Sequence, residues 1–163
     1  MEILAIIPAR KNSKGIKNKN ITKISEIPLI EYTMNAAKKS KKITRLIVST
    51  DSQEIIKIAK KSKIEVPFLR PKKFSLSNSP TSDVITHTLD FFKKNENYSP
   101  DIVIILQPTS PLRDPSNIDK SIDVFNKSKS SSVLGVFPMK QNPFIAFTLN
   151  KNNHLIPYKK DFT

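Results

Sequence analysis

The sequence of 163 residues contains no cysteine and only two glycines, Gly15 and Gly135. Without cysteine the chain has neither a disulfide framework nor a thiolate nucleophile. Two isolated glycines do not form a Walker loop or a G-x-G-x-x-G dinucleotide fingerprint, which argues against a kinase or a dehydrogenase. The sequence also shows no nucleophile elbow and no His, Asp and Glu residues at metal-ligand spacing. These absences argue against several common classes of enzyme.

Long apolar runs are missing as well. No segment approaches the roughly 20 apolar residues that a membrane-spanning helix needs. The N-terminus lacks the basic segment, apolar run and cleavage site of a secretory signal peptide. We therefore expect a cytoplasmic protein without a membrane partner. Its length fits one domain that is large enough to bury a core.

The chain is strongly basic, with 28 Lys and Arg against 14 Asp and Glu and a formal net charge of +14. A charge of this size can indicate nucleic-acid binding. Most of it is lysine spread over helix-like segments, with little aromatic interleaving for stacking on single strands. Solvated lysine faces account better for this pattern, so we expect no nucleic-acid partner. The hypothesis of a basic nucleic-acid-binding domain therefore rests on charge alone.

Strand and helix patterns alternate along most of the chain. Strands are predicted at 3–7, 45–48, 66–69, 102–106 and 132–137, and helices from Pro28, from Asp51 or Ser52, from about Ser82 and from Asp114 or Ser116. The alternation predicts an α/β fold, a three-layer αβα Rossmann-like sandwich around a mostly parallel twisted sheet with 102–106 at its centre. The alternation is lost after residue 137, and nothing in 138–163 closes the fold. We therefore expect the chain to be incomplete.

Polar loops follow four of the predicted strands, at 8–20, 49–52, 70–82 and 107–113. Because the carboxyl ends of parallel strands lie on one edge of a sheet, these loops should converge on a single crevice. In the first loop, Arg10, Lys14 and Lys19 could neutralise the charge of a phosphate group.

The other loops carry polar side chains with more than one possible role. Gln107 could donate to and accept from a base edge, or could tie down its own loop. Arg70 and Arg113 could bind carboxylate or phosphate as bidentate donors, whereas Arg113 could instead pair with Asp114 or Asp119. His87, which lies between apolar helical positions, is predicted to be a packing or surface histidine.

Four loop motifs carry a resemblance to a known family. They are I-P-A-R-x-x-S-K-G-I-x-x-K-N at 7–20, S-T-D at 49–51, L-R-P at 69–71 and L-Q-P-T-S-P-L-R at 106–113. In order and spacing the chain resembles the acylneuraminate cytidylyltransferases, the CMP-sialic acid synthetases and their relatives. Relatives that act on 3-deoxy-manno-octulosonate begin with a different basic loop and rank lower. The resemblance implies a nucleotidyltransferase fold, with a nucleotide-binding cytidylyltransferase core at 1–137. Residues 138–163 would begin a dimerisation and sugar-site segment that is cut short.

The resemblance also implies a reaction, the transfer of CMP from CTP to the anomeric hydroxyl of a 2-keto-3-deoxy sugar acid with release of pyrophosphate. The acid would be N-acetylneuraminate or a related nonulosonic acid. The partners would be CTP and this acidic nine-carbon sugar, and the full-length protein would be a homodimer. The matched motifs assign catalytic roles to Arg10, Lys14 and Lys19, nucleotide binding to Ser13, Asn20, Arg70, Ser79, Thr81 and Ser82, and sugar-acid binding to Gln107, Thr109 and Ser110.

A divalent cation, Mg²⁺ or Mn²⁺, is the cofactor that the resemblance implies. The family binds it through an Asp-x-Asp pair after an Asn-Gly motif, and both would lie beyond Thr163. We therefore expect no metal ligand in residues 1–163, since Asp51 and Asp83 do not replace that pair. The leading hypothesis is the N-terminal part of a cytidylyltransferase. The alternative is a non-catalytic CTP-binding fragment or a degenerate relative that lacks the metal aspartates.

Overall fold

The computed structural model describes residues 1–12, 15–136, 138 and 146–157. The chain divides into two compact units, Met1–Ser131 and Ser132–Thr163. The strands are β1 Ile3–Pro8, β2 Lys23–Ile24, β3 Ile27–Pro28, β4 Arg45–Ser49, β5 Ile102–Ile105, β6 Phe147–Leu149 and β7 Leu155–Pro157. The α-helices are α1 Leu29–Lys39, α2 Gln53–Lys61, α3 Thr81–Glu96 and α4 Pro115–Lys127, and short 3₁₀ turns span Lys19–Ile21 and Lys72–Phe74. The predicted roles of 1–137 and 138–163 stay predictions.

The first unit contains a parallel sheet with the strand order β4-β1-β5. In its register, Leu4 of β1 lies opposite Arg45 of β4 and Val103 of β5. Residues 3–7 of β1 are all buried because this strand has a neighbour on each side and is covered on both faces. The prediction that 102–106 forms the centre of the sheet is wrong for the described residues. An apolar run indicates that both faces of a strand are buried, but it does not indicate whether a strand pairs on one side or on both.

Helices cover both faces of this sheet. Ile3 and Ile7 of β1 belong to a large apolar cluster that also contains residues of α1, α2 and α4. Leu4 and Ile6 point to the other face, because side chains alternate along a strand, and they share a smaller cluster with Phe92 of α3. This arrangement confirms the predicted three-layer α/β sandwich.

Side-chain caps place the starts of two helices that follow strand ends. The Ser52 hydroxyl accepts a hydrogen bond from the Ile55 N–H at 3.4 Å and caps α2. The Asp114 carboxylate accepts from the Ser116 N–H at 2.7 Å, so Asp114 caps α4. These bonds satisfy amide groups that have no partner within the helix. The sequence allowed two capping residues for each helix, and these bonds identify Ser52 and Asp114 as the caps.

The predicted strand at 66–69 is not formed as a continuous strand. Residues 65–69 make isolated parallel bridges to β4 and to the residue that follows it, Ile47 with Glu65 and Thr50 with Leu69. Pro67 lies between the two bridges, and because it has no N–H it cannot donate to a ladder of hydrogen bonds. The bridges nevertheless carry the chain along β4 to Arg70, whose N–H donates to the Thr50 carbonyl at 2.8 Å.

The second unit contains an antiparallel hairpin of β6 and β7, in which Phe147 lies opposite Pro157. Residues 132–136 form no strand, contrary to the prediction for 132–137, and residue 137 lies outside the described residues. Leu134 is 82% exposed and Val136 is 84% exposed. Strand-forming side chains do not make a strand unless a neighbouring strand pairs with them, and none among the described residues does so.

Candidate functional site

A cavity of about 380 Å³ lies at the carboxyl ends of β1 and β5. Three of the four predicted polar loops contribute to its wall: the loop after β1, the segment 70–82 and the loop after β5. The lining includes the predicted site residues Arg10, Lys19, Asn20, Arg70, Ser79, Thr81, Gln107 and Thr109. Ser82 and Ser110 are exposed and are not among the lining residues, while Ser13 and Lys14 lie outside the described residues. The structure therefore brings most of the predicted positions to one crevice.

Arg70 is the most unusual side chain of this cavity, because it is a cation that is only 5% exposed. Its Nε donates to the Ser49 hydroxyl at 3.1 Å, and its Nη2 donates to the Ser49 carbonyl. Both acceptors are neutral, and no carboxylate among the described residues forms an ion pair with Arg70. Burial lowers the pKa of Arg70 to about 10; nearby Asp51 opposes this shift, and the charge of Arg10 adds to it. A buried cation without an anionic partner is energetically unfavourable.

Arg10 faces the same cavity from the loop after β1. Its Nη1 donates to the Leu76 carbonyl at 2.7 Å, which joins this loop to the segment 70–82. Within that segment, the Ser79 hydroxyl donates to the Lys73 carbonyl at 3.0 Å and accepts from the Leu76 N–H at 3.1 Å. Ser79 thus shapes the loop that receives Arg10, in addition to lining the cavity.

The backbone of the first loop is fastened to its surroundings at several atoms. The Ala9 N–H donates to the Ser49 carbonyl at 3.0 Å, and the Lys11 N–H donates to the Asp51 carboxylate at 2.7 Å. The side-chain amide of Asn20, a residue only 7% exposed, donates to the Arg10 carbonyl at 3.0 Å. Asn20, which the resemblance assigns to nucleotide binding, therefore also holds its own loop.

An apolar wall faces these cations, and the sequence prediction did not include it. Phe74 and Leu76 line the cavity from the segment 70–82. The Phe74 ring lies 5.0 Å from the His87 ring, and His87 packs edge-on against Phe68 at 4.6 Å. His87 is thus a packing residue, as predicted, and burial followed by the charges of Arg70 and Lys73 lowers its pKa. A phenylalanine and a leucine inside an otherwise polar loop are the signal that could have identified this wall.

Gln107 and Arg113 mark the loop after β5. Gln107 is exposed at the cavity, while its backbone carbonyl accepts from Arg113 Nη2 at 3.2 Å. Arg113 does not pair with Asp114 or Asp119, which instead bond to Ser116 and to Ser40 and Lys41 respectively. Burial lowers the pKa of Arg113. The suggestion that Arg113 only forms an ion pair near the start of a helix is therefore wrong.

The described residues also bear on metal binding and on membrane insertion. They contain no group of three or more His, Cys, Asp or Glu that could bind a metal ion. The implied Mg²⁺ or Mn²⁺ stays a prediction of the resemblance. None of the described helices combines the length and the apolar character that crossing a bilayer requires.

A cationic crevice at the carboxyl edge of a parallel sheet is typical of α/β proteins that bind anionic ligands. The sequence matches the cytidylyltransferase family over residues 4–161. The chain belongs to this family, and relatives of the sialic-acid type within it confirm the resemblance that the loop motifs carry.

Two relatives and one solved structure illustrate the similarity. The chain is 35% identical over 158 residues to the CMP-N,N'-diacetyllegionaminic acid synthase of Legionella pneumophila, which covers 96% of this chain and 66% of that protein. It is 35% identical over 124 residues to the N-acylneuraminate cytidylyltransferase of Escherichia coli O18:K1:H7, covering 76% of this chain and 28% of that protein. The structure of a CMP:2-keto-3-deoxy-manno-octonic acid synthetase complexed with CTP shares the fold, with a TM-score of 0.63 at 19% identity over 77% of this chain and 48% of that one. The chain spans about two thirds or less of the length of these proteins.

Proposed function

We propose that the chain is the nucleotide-binding part of an enzyme that transfers CMP from CTP to the anomeric hydroxyl of a nonulosonic acid and releases pyrophosphate. Membership of the cytidylyltransferase family supports the nucleotide and the reaction. The single structural observation that carries the proposal is the buried guanidinium of Arg70, which forms no ion pair with the described carboxylates and faces a cavity that also receives Arg10 and Lys19.

A polyphosphate is the ligand that best matches this charge distribution. Arg70 and Arg10 carry like charges and repel each other, which adds to the lowering of the pKa of Arg70. An anion placed between them would remove this repulsion and give the buried guanidinium the partner that the described residues do not provide. Phosphate oxygens accept the paired hydrogen bonds of arginine well.

The proposed roles follow from where the side chains lie. Arg10 and Lys19 would lie along the triphosphate, and Thr81 would meet it at the start of α3. For Lys14, which lies outside the described residues, the family resemblance alone supports the same role. As the anomeric hydroxyl oxygen of the sugar acid attacks the α-phosphorus and its proton passes to solvent, the bond from that phosphorus to the bridging oxygen breaks and negative charge develops on the departing pyrophosphate. Fixed cations stabilise that charge without any rearrangement. Phe74 and Leu76 would form an apolar surface for the base.

The acceptor would lie near the loop after β5. Gln107 and Thr109 line the cavity on this side and, with Ser110, would contact the sugar acid. The names of the two relatives point to different nonulosonic acids, legionaminic and neuraminic. We propose an acid of this class as the acceptor. We also propose that the full-length protein is a cytoplasmic homodimer that uses a divalent cation.

Pyrophosphate release by the full-length protein tests this function. With Mg²⁺ and a panel of nonulosonic acids, CTP should give acid-dependent pyrophosphate, whereas ATP and UTP should give little. Lys19→Gln should reduce turnover at least about tenfold, since one charged contact to the leaving group is lost. Lys127→Gln, at the end of α4, is the matched control and should match the wild type. Absence of product with every acid would refute the proposed reaction, and CTP binding without turnover would support the non-catalytic alternative.

A further inference from the structure

One peptide group of the first loop is held at both of its polar atoms. The Arg10 carbonyl accepts from the Asn20 side chain at 3.0 Å, and the Lys11 N–H donates to Asp51 at 2.7 Å. These two atoms belong to the same planar amide between Arg10 and Lys11. Fixing both of them fixes the direction in which the chain leaves β1 towards 12–19. Among the described residues no backbone group bonds to either atom, so the two side chains impose this orientation.

The two side chains come from opposite sides of the loop. Asp51 follows the end of β4, the strand beside β1, while Asn20 lies in the 3₁₀ turn that closes the loop. Ala9 is fastened to Ser49 by the preceding backbone hydrogen bond, so segments 9–11 and 49–51 run alongside each other. Asp51 therefore extends the β1–β4 pairing by one contact into the phosphate-facing loop.

The charge of Asp51 is the wrong sign for a polyphosphate site. A carboxylate near a triphosphate repels it, and Asp51 is not among the residues that line the cavity, so direct contact with the phosphates does not account for an aspartate here. Its charge favours the cationic form of Arg70, because it opposes the lowering of the pKa of Arg70 by burial. The hydrogen bond to Lys11 is the contact that a neutral acceptor of the same shape could also make.

We propose that Asp51 is a positioning residue of the nucleotide site, which acts with Asn20 to orient the Arg10–Lys11 peptide and so places Arg10 and the rest of the loop against the triphosphate. The proposal rests on the proposed function. It assigns Asp51 no direct contact with the nucleotide and no metal.

Comparing Asp51→Asn with Asp51→Ala separates position from charge. Asparagine keeps an oxygen that can accept from the Lys11 N–H, and alanine does not. By titration calorimetry without metal, Asp51→Ala should lower the CTP affinity of the chain about tenfold or more. Asp51→Asn should stay within about threefold of the wild type, or bind more tightly because repulsion is removed.

A second measurement reports on the peptide itself in the ligand-free chain. The Lys11 amide should exchange slowly with solvent in the wild type and in Asp51→Asn, but quickly in Asp51→Ala. Asp101→Ala is the matched control, because Asp101 accepts from the Glu2 N–H at 2.6 Å at the amino end of β1. This control should leave both CTP affinity and Lys11 exchange unchanged.

The outcomes distinguish this proposal from the proposed function. If the wild type binds CTP and Asp51→Ala binds equally well, the positioning role is wrong and the proposed function stands. Equal losses in Asp51→Asn and Asp51→Ala would show that the charge matters, and a loss confined to titrations with Mg²⁺ would make Asp51 a metal ligand; either result overturns the proposal. If the wild type binds no CTP, the proposed function fails and this role fails with it.

Discussion

An arginine lies at each end of β4, and the two are in opposite electrostatic situations. Arg45, at the amino end, donates to Glu65 at 2.5 and 2.9 Å and forms an ion pair with Glu96 at 2.7 Å, and its guanidinium lies 4.0 Å from the centre of the Phe92 ring. Arg70, from the segment 70–82, lies beside the carboxyl end, and among the described residues its guanidinium bonds only to the neutral groups of Ser49. The hydrogen bond to Glu65 raises the pKa of Arg45, whereas burial lowers the pKa of Arg70. A fully paired charge fastens elements together, and an unpaired buried one is available to a ligand.

Replacing Arg70 should weaken CTP binding far more than it lowers stability. Arg70→Gln should lower the CTP affinity of the chain about a hundredfold, because a charged contact to phosphate is lost in a buried position. Its free energy of unfolding should fall by no more than about 1 kcal/mol, since removing an unpaired buried charge offsets the lost hydrogen bonds to Ser49. Calorimetry and urea unfolding measure the two quantities. A large loss of stability with unchanged affinity would reverse the roles of the two arginines.

Replacing Arg45 should lower stability without weakening CTP binding. Arg45→Gln should lower the free energy of unfolding by about 2 kcal/mol, because two carboxylates and an aromatic ring lose their cation. The CTP affinity of the folded protein should change little. Lys23→Gln is the control: Lys23 and Glu26 are 60% and 90% exposed, and the loss should be below about 0.5 kcal/mol. Equal losses in the two variants would contradict the account.

A smaller effect, on the pH dependence of stability, should come from His87, which packs against Phe74 of the apolar wall. The pKa of His87 is lowered in the folded state, so below the unfolded value of about 6.5 the unfolded chain binds more protons. Stability should therefore decrease as the pH falls from 7.5 to 5.5. Arg70 and Lys73 oppose protonation of His87, and Asp90 favours it. His87→Gln should lose less stability over this range in urea titrations, and an identical slope in both proteins would refute this role.

The sequence predicts the strands and helices whose hydrophobic patterns involve residues that are close together in the chain. The apolar run at 3–7 and the helix after Pro28 were found because their patterns depend on residues close together. Pro67 interrupts a strand that composition alone favours, and residues 132–136 have no pairing strand among the described residues. The two failures differ in cause, because the effect of Pro67 can be read from the sequence, whereas the partner of a strand cannot.

The candidate site was predictable only in part for a related reason. Loop convergence follows from a parallel sheet, and it brought Arg10, Arg70 and Gln107 to one cavity. Which arginine is unpaired depends on carboxylates far along the chain, since Glu65 and Glu96 lie 20 and 51 residues from Arg45. The resemblance likewise selected residues that could touch the nucleotide. It included Asp51 in the S-T-D motif but assigned no role to this residue, whose hydrogen bond is with the loop.

We propose that the cations at the carboxyl edge, Arg10, Lys19 and Arg70, bind a polyphosphate. Calorimetric titration of the chain with CTP and with CMP at the same ionic strength tests this proposal. We expect one CTP per chain and binding of CMP at least about a hundredfold weaker, because CMP lacks the β- and γ-phosphates. Equal affinities for CTP and CMP, or no binding of CTP, would refute the proposal.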